Sequence, residues 1–216
     1  HNSAMTTPNH PVFYTVGIVG TGAMGRGIAQ IAAQAGSRVV LFDAAPDAAN
    51  KARSAISQQW AKLVEKGRVT EFEAASRSAK LHVALSIHDL AGCDLVVEAI
   101  VENLKVKQTV LVEIEAIVNS DAVLVSNTSS LSVTSIAAGL KRPAQFAGYH
   151  FFNPVPLMKV VEVIAGLKTD PAICKKLANF AVQMGHKAVQ AADTPGFIVN
   201  HAGRGFGTEA LRIVGE

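Results

Sequence analysis

Apolar positions along the chain fall into short β-rich runs that alternate with stretches at helical spacing. Tyr14–Val19 is the first run; a glycine cluster follows it, and an Ala- and Ile-rich helical stretch extends to Ala35. Gly36 ends that helix, and Arg38–Phe42 is a second apolar strand. This strand–turn–helix–strand unit opens a doubly wound sheet. A long helix is predicted over Pro46–Lys66, with Ile56, Trp60 and Leu63 on one buried face. A shorter helix over Glu71–Ser78 leads to a strand at Leu81–Leu85. Strands at Leu95–Glu98 and Ala122–Ser126 then alternate with helices at Leu104–Val118 and Val133–Ala138. Two strand-like runs, Gln145–Phe151 and Leu157–Ile164, flank the segment Asn153–Pro156. That spacing suits a turn and an antiparallel pair better than another crossover. A helix at Pro171–Met184 and a strand at Lys187–Ala191 complete the alternation. Thr194 and Pro195 open a further helix, as N-cap and first-turn residue.

The fold predicted is α/β: a Rossmann-type doubly wound sheet, mostly parallel with an antiparallel portion, plus the start of a helical C-terminal domain. Residues 5–193 form the sheet domain and residues 194–216 the first helix of the next. His1–Ala4, ahead of Met5, read as a cloning remnant. Composition agrees with a packed core: 49% of residues are hydrophobic and 17% charged. The net charge of +3 comes from scattered Lys and Arg, never more than two in a row, so no nucleic-acid stripe is expected. Cys93 and Cys174 lie far apart and form no metal or disulfide pattern, which suits a reducing compartment, the cytoplasm. No apolar run approaches the ~18 residues of a membrane span, and the N-terminal segment lacks a signal peptide's apolar core.

Chemistry enters at residues 17–27, GIVGTGAMGRG. Gly20, Gly22 and Gly25 fit G-x-G-x-x-G between a strand and a helix. The first glycine allows the tight turn, and the second lets backbone N–H groups approach a pyrophosphate. The third lets the helix pack on the strand with its N-terminus facing the anion. Ala23 and Met24 lie inside the same turn. Asp43 ends the second strand, eighteen residues after Gly25. A carboxylate there accepts from a ribose diol and repels a 2′-phosphate, so NAD is favoured over NADP.

His150 ends a strand in GYHFFNPVP, and Glu162 lies in LMKVVEVI. Glu162 shares a strand face with Met158, Val160 and Ile164. An ionised carboxylate among apolar neighbours needs a partner. An antiparallel neighbour strand would supply His150, and such a pair fixes the histidine tautomer as a general base requires. Alternatively, His150 is a satisfied core histidine and Glu162 faces solvent. Ser126–Ser130 follows a strand directly, where open α/β sheets bind ligands. Ser129 is either a donor to a substrate oxygen or part of an ordinary capping loop. The remaining histidines sit in no polar constellation, and no metal is expected.

Five segments together resemble the L-3-hydroxyacyl-CoA dehydrogenase family of the bacterial 3-hydroxybutyryl-CoA type: GIVGTGAMGRGIAQ, VVEAIVENLKVK, SNTSSLSVTSIA, GYHFFNPVPLMKVVEVI and DTPGFIVN. The resemblance implies an NAD-dependent oxidation of (S)-3-hydroxyacyl-CoA to 3-oxoacyl-CoA, or the reverse. His150 would be the base for the 3-hydroxyl proton, and Glu162 would orient it. Ser129 and Asn200 would hold the substrate oxygens. Asn153 would line the site near the nicotinamide, and Glu102 and Lys107 would contact NAD. Lys66 would meet a CoA phosphate, unless it is simply a solvated helix end. The family also implies a homodimer, built through a mostly helical second domain of which 194–216 holds only the first helix. The chain departs from the family after Asn200, where Gly203, Gly205 and Gly207 each cost a predicted helix roughly 1 kcal/mol relative to Ala.

Two other readings compete. One is a sugar-acid dehydrogenase of the L-gulonate type, whose members tend to lack the HFFNP run. The other is an NAD-binding fragment without catalysis of its own.

Overall fold

The computed structural model describes residues 10–193. The segment read as a cloning remnant, the helix predicted from Thr194 onward and Asn200 lie outside the described residues. Eight strands form one sheet: β1 (Thr15–Val19), β2 (Arg38–Phe42), β3 (Leu81–Val83), β4 (Leu95–Glu98), β5 (Val123–Ser126), β6 (Phe146–Phe151), β7 (Val160–Ile164) and β8 (Lys187–Ala191). Their order is β3-β2-β1-β4-β5-β6-β7-β8. The first six run parallel, β7 runs antiparallel to β6, and β8 runs parallel to β7. The β3-β2-β1-β4-β5-β6 part is the Rossmann order, with its reversal between β1 and β4.

Helices cover both faces. They are α1 (Ala23–Gln34), α2 (Ala48–Glu65), α3 (Glu71–Ser78), α4 (Leu104–Ile117), α5 (Val133–Ile136) and α6 (Pro171–Gln183). One core packs Ile28, Ile56, Trp60, Leu177 and Phe180 on one side of the strands. The other packs Leu111, Ile114, Ile136 and Phe146 on the opposite side. With both faces covered, β4, β5 and β6 are buried at every position, which explains their near-continuous apolar runs. Two polar bonds tie the helices in, one between α2 and α1 and one between β6 and α6. Trp60 Nε1 donates to Gln34 Oε1 at 2.8 Å, and the Tyr149 hydroxyl donates to the Leu177 carbonyl at 2.7 Å.

Three predicted elements are shorter than their apolar runs, each for a local reason. β3 stops at Val83, because the Leu85 amide donates to Asp89 Oδ2 at 2.7 Å and its side chain is 94% exposed. α5 is a single turn that tightens into a 3-10 turn over Ala137–Gly139. β7 begins only at Val160, because Leu157 and Met158 both donate to the Pro154 carbonyl and close a turn.

Candidate functional site

The carboxyl ends of β1, β2, β4, β5 and β6 lie along one rim of the sheet, and nearly every candidate residue sits on it. The glycine turn lies between β1 and α1. Gly20 takes φ +97°, and a Cβ there would stand 2.6 Å from the Ala99 carbonyl oxygen. A Cβ on Gly25 would stand 1.8 Å from the Gly20 carbonyl oxygen, so only glycine lets α1 lie this close to β1. Gly22 differs: a Cβ there would meet nothing within 4 Å. Gly22 and Ala23 are exposed and Met24 is half-buried. The first turn of α1 has no acidic residue and no side-chain cap, so neither a negative charge nor a capping side chain competes with an anion there. This arrangement fits a dinucleotide pyrophosphate.

Asp43 follows the last residue of β2. Its Oδ2 accepts from the Thr21 amide at 2.8 Å and the Thr21 hydroxyl at 2.9 Å, and its Oδ1 accepts from the Ala45 amide at 2.9 Å. Partial burial on its own would raise the carboxyl pKa. The bonds from Ala45 and Thr21 outweigh it and hold the pKa below the usual carboxylate value. Asp43 is thus held ionised and oriented by the glycine turn itself. Thr21 was not singled out from the sequence, because the motif treats its position as variable.

His150 and Glu162 sit directly opposite each other in the antiparallel β6–β7 register, with Nδ1 2.7 Å from Glu162 Oε1. Their side chains are 8% and 13% exposed. The Phe152 ring lies 4.5 Å from the imidazole, centroid to centroid. A carboxylate only accepts, so the ring proton belongs on Nδ1 and Nε2 is left with its lone pair. Asn127, another residue not marked from sequence, ties β5 to this strand: its Oδ1 accepts from the Phe151 amide at 2.8 Å.

Glu102 and Ser129 are brought together. Glu102 Oε2 accepts from the Ser129 amide at 2.9 Å and from its hydroxyl at 3.2 Å. It also accepts from the Ser130 amide and hydroxyl and from the Thr128 hydroxyl. Partial burial would raise the Glu102 pKa, but the Ser129 amide and the Lys107 ammonium bring it below the usual value. Lys107 itself is 1% exposed, and its Nζ is engaged by Glu98 Oε2 at 2.6 Å and Glu102 Oε1 at 3.3 Å. It therefore meets the rim through Glu102 and not with its own ammonium. Glu98 is wholly buried. A lone charge in the run LVVEAI was the available signal for it.

A groove of about 430 Å³ runs from α1 to α2 and the loop after β6, lined by Arg26, Gln30, Gln59, Lys62, Asn153 and Leu157 among others. It brings Asn153 beside the start of α1. Lys66 is exposed at the C-cap of α2, one turn beyond Lys62, and does not line the groove. Among the described residues no cluster of His, Cys, Asp and Glu could hold a metal ion, and no helix is long and apolar enough to cross a membrane.

The family model for the 3-hydroxyacyl-CoA dehydrogenase NAD-binding domain matches residues 15–194. A 3-hydroxyadipyl-CoA dehydrogenase of Escherichia coli K12 is 39% identical over 203 residues, which are 94% of this chain and 42% of that protein. A 3-hydroxybutyryl-CoA dehydrogenase of Bradyrhizobium diazoefficiens is 41% identical over 189 residues, 88% of this chain and 64% of that protein. The chain therefore spans between two fifths and two thirds of these relatives' length. Among solved structures, a 3-hydroxybutyryl-CoA dehydrogenase from E. coli K12 superposes with a TM-score of 0.86 at 38% identity, over 89% of this chain and 41% of that one. An (S)-3-hydroxybutyryl-CoA dehydrogenase from Ralstonia eutropha gives 0.83 at 39% identity, over 88% and 67%. The matched segment begins at β1 and ends just past β8, so it takes in the glycine cradle, Asp43 and the His150–Glu162 pair together, and the chain belongs to the 3-hydroxyacyl-CoA dehydrogenase family, of which it carries the NAD-binding domain.

Proposed function

We propose that the chain is the cofactor-binding, base-carrying part of an enzyme that oxidises (S)-3-hydroxyacyl-CoA to 3-oxoacyl-CoA, or runs the reverse reaction. The observation that carries this reading is the 2.7 Å His150–Glu162 pair on the same rim as the glycine cradle. Bound NAD⁺ supplies the acceptor for the hydride that leaves C3. His150 takes the 3-hydroxyl proton at Nε2 as that hydride departs. Glu162 holds the ring through Nδ1 and offsets the charge that the ring gains. Ser129 and Asn200 hold the substrate oxygen. Arg26 and Lys62 give the groove a positive wall suited to an anionic thioester carrier, while Lys66, outside it, would act only at its edge. Asn153 closes the groove toward the cofactor. By family resemblance the complete protein works as a cytoplasmic homodimer.

The test is NADH oxidation with acetoacetyl-CoA, for the complete protein and for His150→Ala. The variant should lose ~10²–10⁴-fold in kcat while NAD⁺ affinity stays within about twofold, because the dinucleotide is held elsewhere. Loss of less than about tenfold would remove His150 from the role of base. Turnover with L-gulonate but not acetoacetyl-CoA would replace the substrate class.

A further inference from the structure

Beneath the rim lies a buried charged cluster whose innermost members, Glu98 and Ser126, have no part in the proposed chemistry. Glu98, the last residue of β4, is wholly buried. One of its carboxylate oxygens accepts from the hydroxyl of Ser126, the last residue of β5. The other accepts from the Ile100 amide at 2.8 Å and from Lys107 Nζ at 2.6 Å. Lys107 has three ammonium protons and three acceptors around it: Glu98 Oε2, the Ile100 carbonyl at 3.3 Å and Glu102 Oε1 at 3.3 Å. Its orientation is therefore fully specified. Glu102 is held by Lys107 on one side, and on the other it gathers five donors from Thr128, Ser129 and Ser130. The chain of bonds runs from the floor of the sheet to the loop on its rim without a gap.

Its place in the fold gives this chain of bonds a direction. In an open α/β sheet the ligand lies across the carboxyl ends at the point where strand order reverses, here between β1 and β4. Asp43 and the glycine turn serve the β1–β2 side, the adenosine and pyrophosphate part. Glu98, Lys107, Glu102 and Ser129 lie on the β4–β5 side. We propose that Glu98 is a positioning residue for the nicotinamide half of the dinucleotide, acting through Lys107 on Glu102 and on the Thr128–Ser130 loop that Glu102 holds. This rests on the NAD-site reading given above. A buried ion pair is a weak source of net stability, whereas a fully satisfied polar network specifies one geometry. Without the Glu98 charge, Glu102 is the one carboxylate left beside Lys107, and the group that shapes the loop is drawn inward.

The experiment is calorimetric titration of the full chain and its Glu98→Gln variant with NAD⁺ and with ADP, which lacks the nicotinamide riboside. A melting curve by circular dichroism establishes that each variant is folded. NAD⁺ affinity should fall about tenfold, the scale of one charge-assisted bond, while ADP affinity holds within about twofold. If Glu98→Gln does not fold, Ser126→Ala removes one donor to the same carboxylate and should weaken NAD⁺ by roughly threefold, again sparing ADP. Equal losses for both ligands would make Glu98 a residue of general stability, and no loss for either would end the assignment. Failure of the unaltered chain to bind NAD⁺ would instead bring down the site reading, and this assignment with it.

Discussion

Asp43 meets the glycine turn before it meets any ligand. Two bonds from Thr21 and one from Ala45 hold it ionised below the usual carboxylate range. A 2′-phosphate arriving there faces a fixed negative charge. NAD⁺ should therefore bind at least about tenfold more tightly than NADP⁺, the scale of one charged contact, as titration with both cofactors would register. Asp43→Asn should erase most of that difference, and an unchanged ratio would dismiss Asp43 as the discriminator. The pH dependence has a definite sign. Because the folded-state pKa is depressed, the stabilisation from Asp43 is complete above the unfolded-state value of 3.8 and is lost as pH falls through the lower folded-state value. Asp43 should thus keep its charge from neutral pH down to about 5, so any weakening of the preference across that range comes from the 2′-phosphate, whose second ionisation lies near ~6. At this scale the sequence displays residues whose chemistry fits a short pattern: Gly20, Gly22, Gly25 and Asp43 along a known spacing. It hides residues whose work depends on a partner far along the chain. Thr21 and Asn127 carry ordinary polar side chains, and only folding brings them against Asp43 and the Phe151 amide.

The β1–α1 junction separates what packing needs from what a ligand needs. Gly25 has a backbone carbonyl where a Cβ would go, whereas Gly22 has open space and a φ of −68° that any residue can adopt. Gly25→Ala should force α1 off β1, costing on the order of 1–3 kcal/mol of stability and removing NAD⁺ binding. Gly22→Ala should melt like the parent protein but bind NAD⁺ at least about tenfold more weakly, since its methyl group occupies the approach to the N–H groups. Thermal melts and titrations of the two variants read the split directly. A Gly22→Ala protein with full affinity would mean that the pyrophosphate lies elsewhere. Element identities were legible because period-two and helical spacings are distinct over such lengths, and because strands covered on both faces read as unbroken apolar runs. The ends of β3, α5 and β7 were not, since each is set by a single bond to a backbone or side-chain partner that hydrophobicity does not record. Nor did the apolar pattern fix the direction of β8: nothing in Lys187–Ala191 distinguishes a strand parallel to β7 from one antiparallel to it.

For the molecule as a whole, the dinucleotide should act as a staple across the sheet. A ligand bound only by the folded state, at about 100 times its Kd, adds ~2.7 kcal/mol. For a domain of this size that is a rise of roughly 5–10 °C in Tm. NADP⁺ at the same concentration should give about half that stabilisation if its binding is tenfold weaker. Equal shifts in a thermal melt would argue against a cofactor-selective rim. The sheet order that places the site also sets how far the chain must travel to build it. His150 and Glu162 face each other twelve residues apart, while the bond from the Thr15 amide to Asp94 that seals β1 beside β4 spans seventy-nine. Closing the shorter loop costs roughly 1.5 kcal/mol less in chain entropy. In a refolding chain the β6–β7 hairpin should therefore gain amide protection ahead of the β1–β4 seam, as a pulse-labelling experiment would register. The corner that carries His150 and Glu162 would then be standing before the glycine turn, so that the order in time runs opposite to the order along the chain.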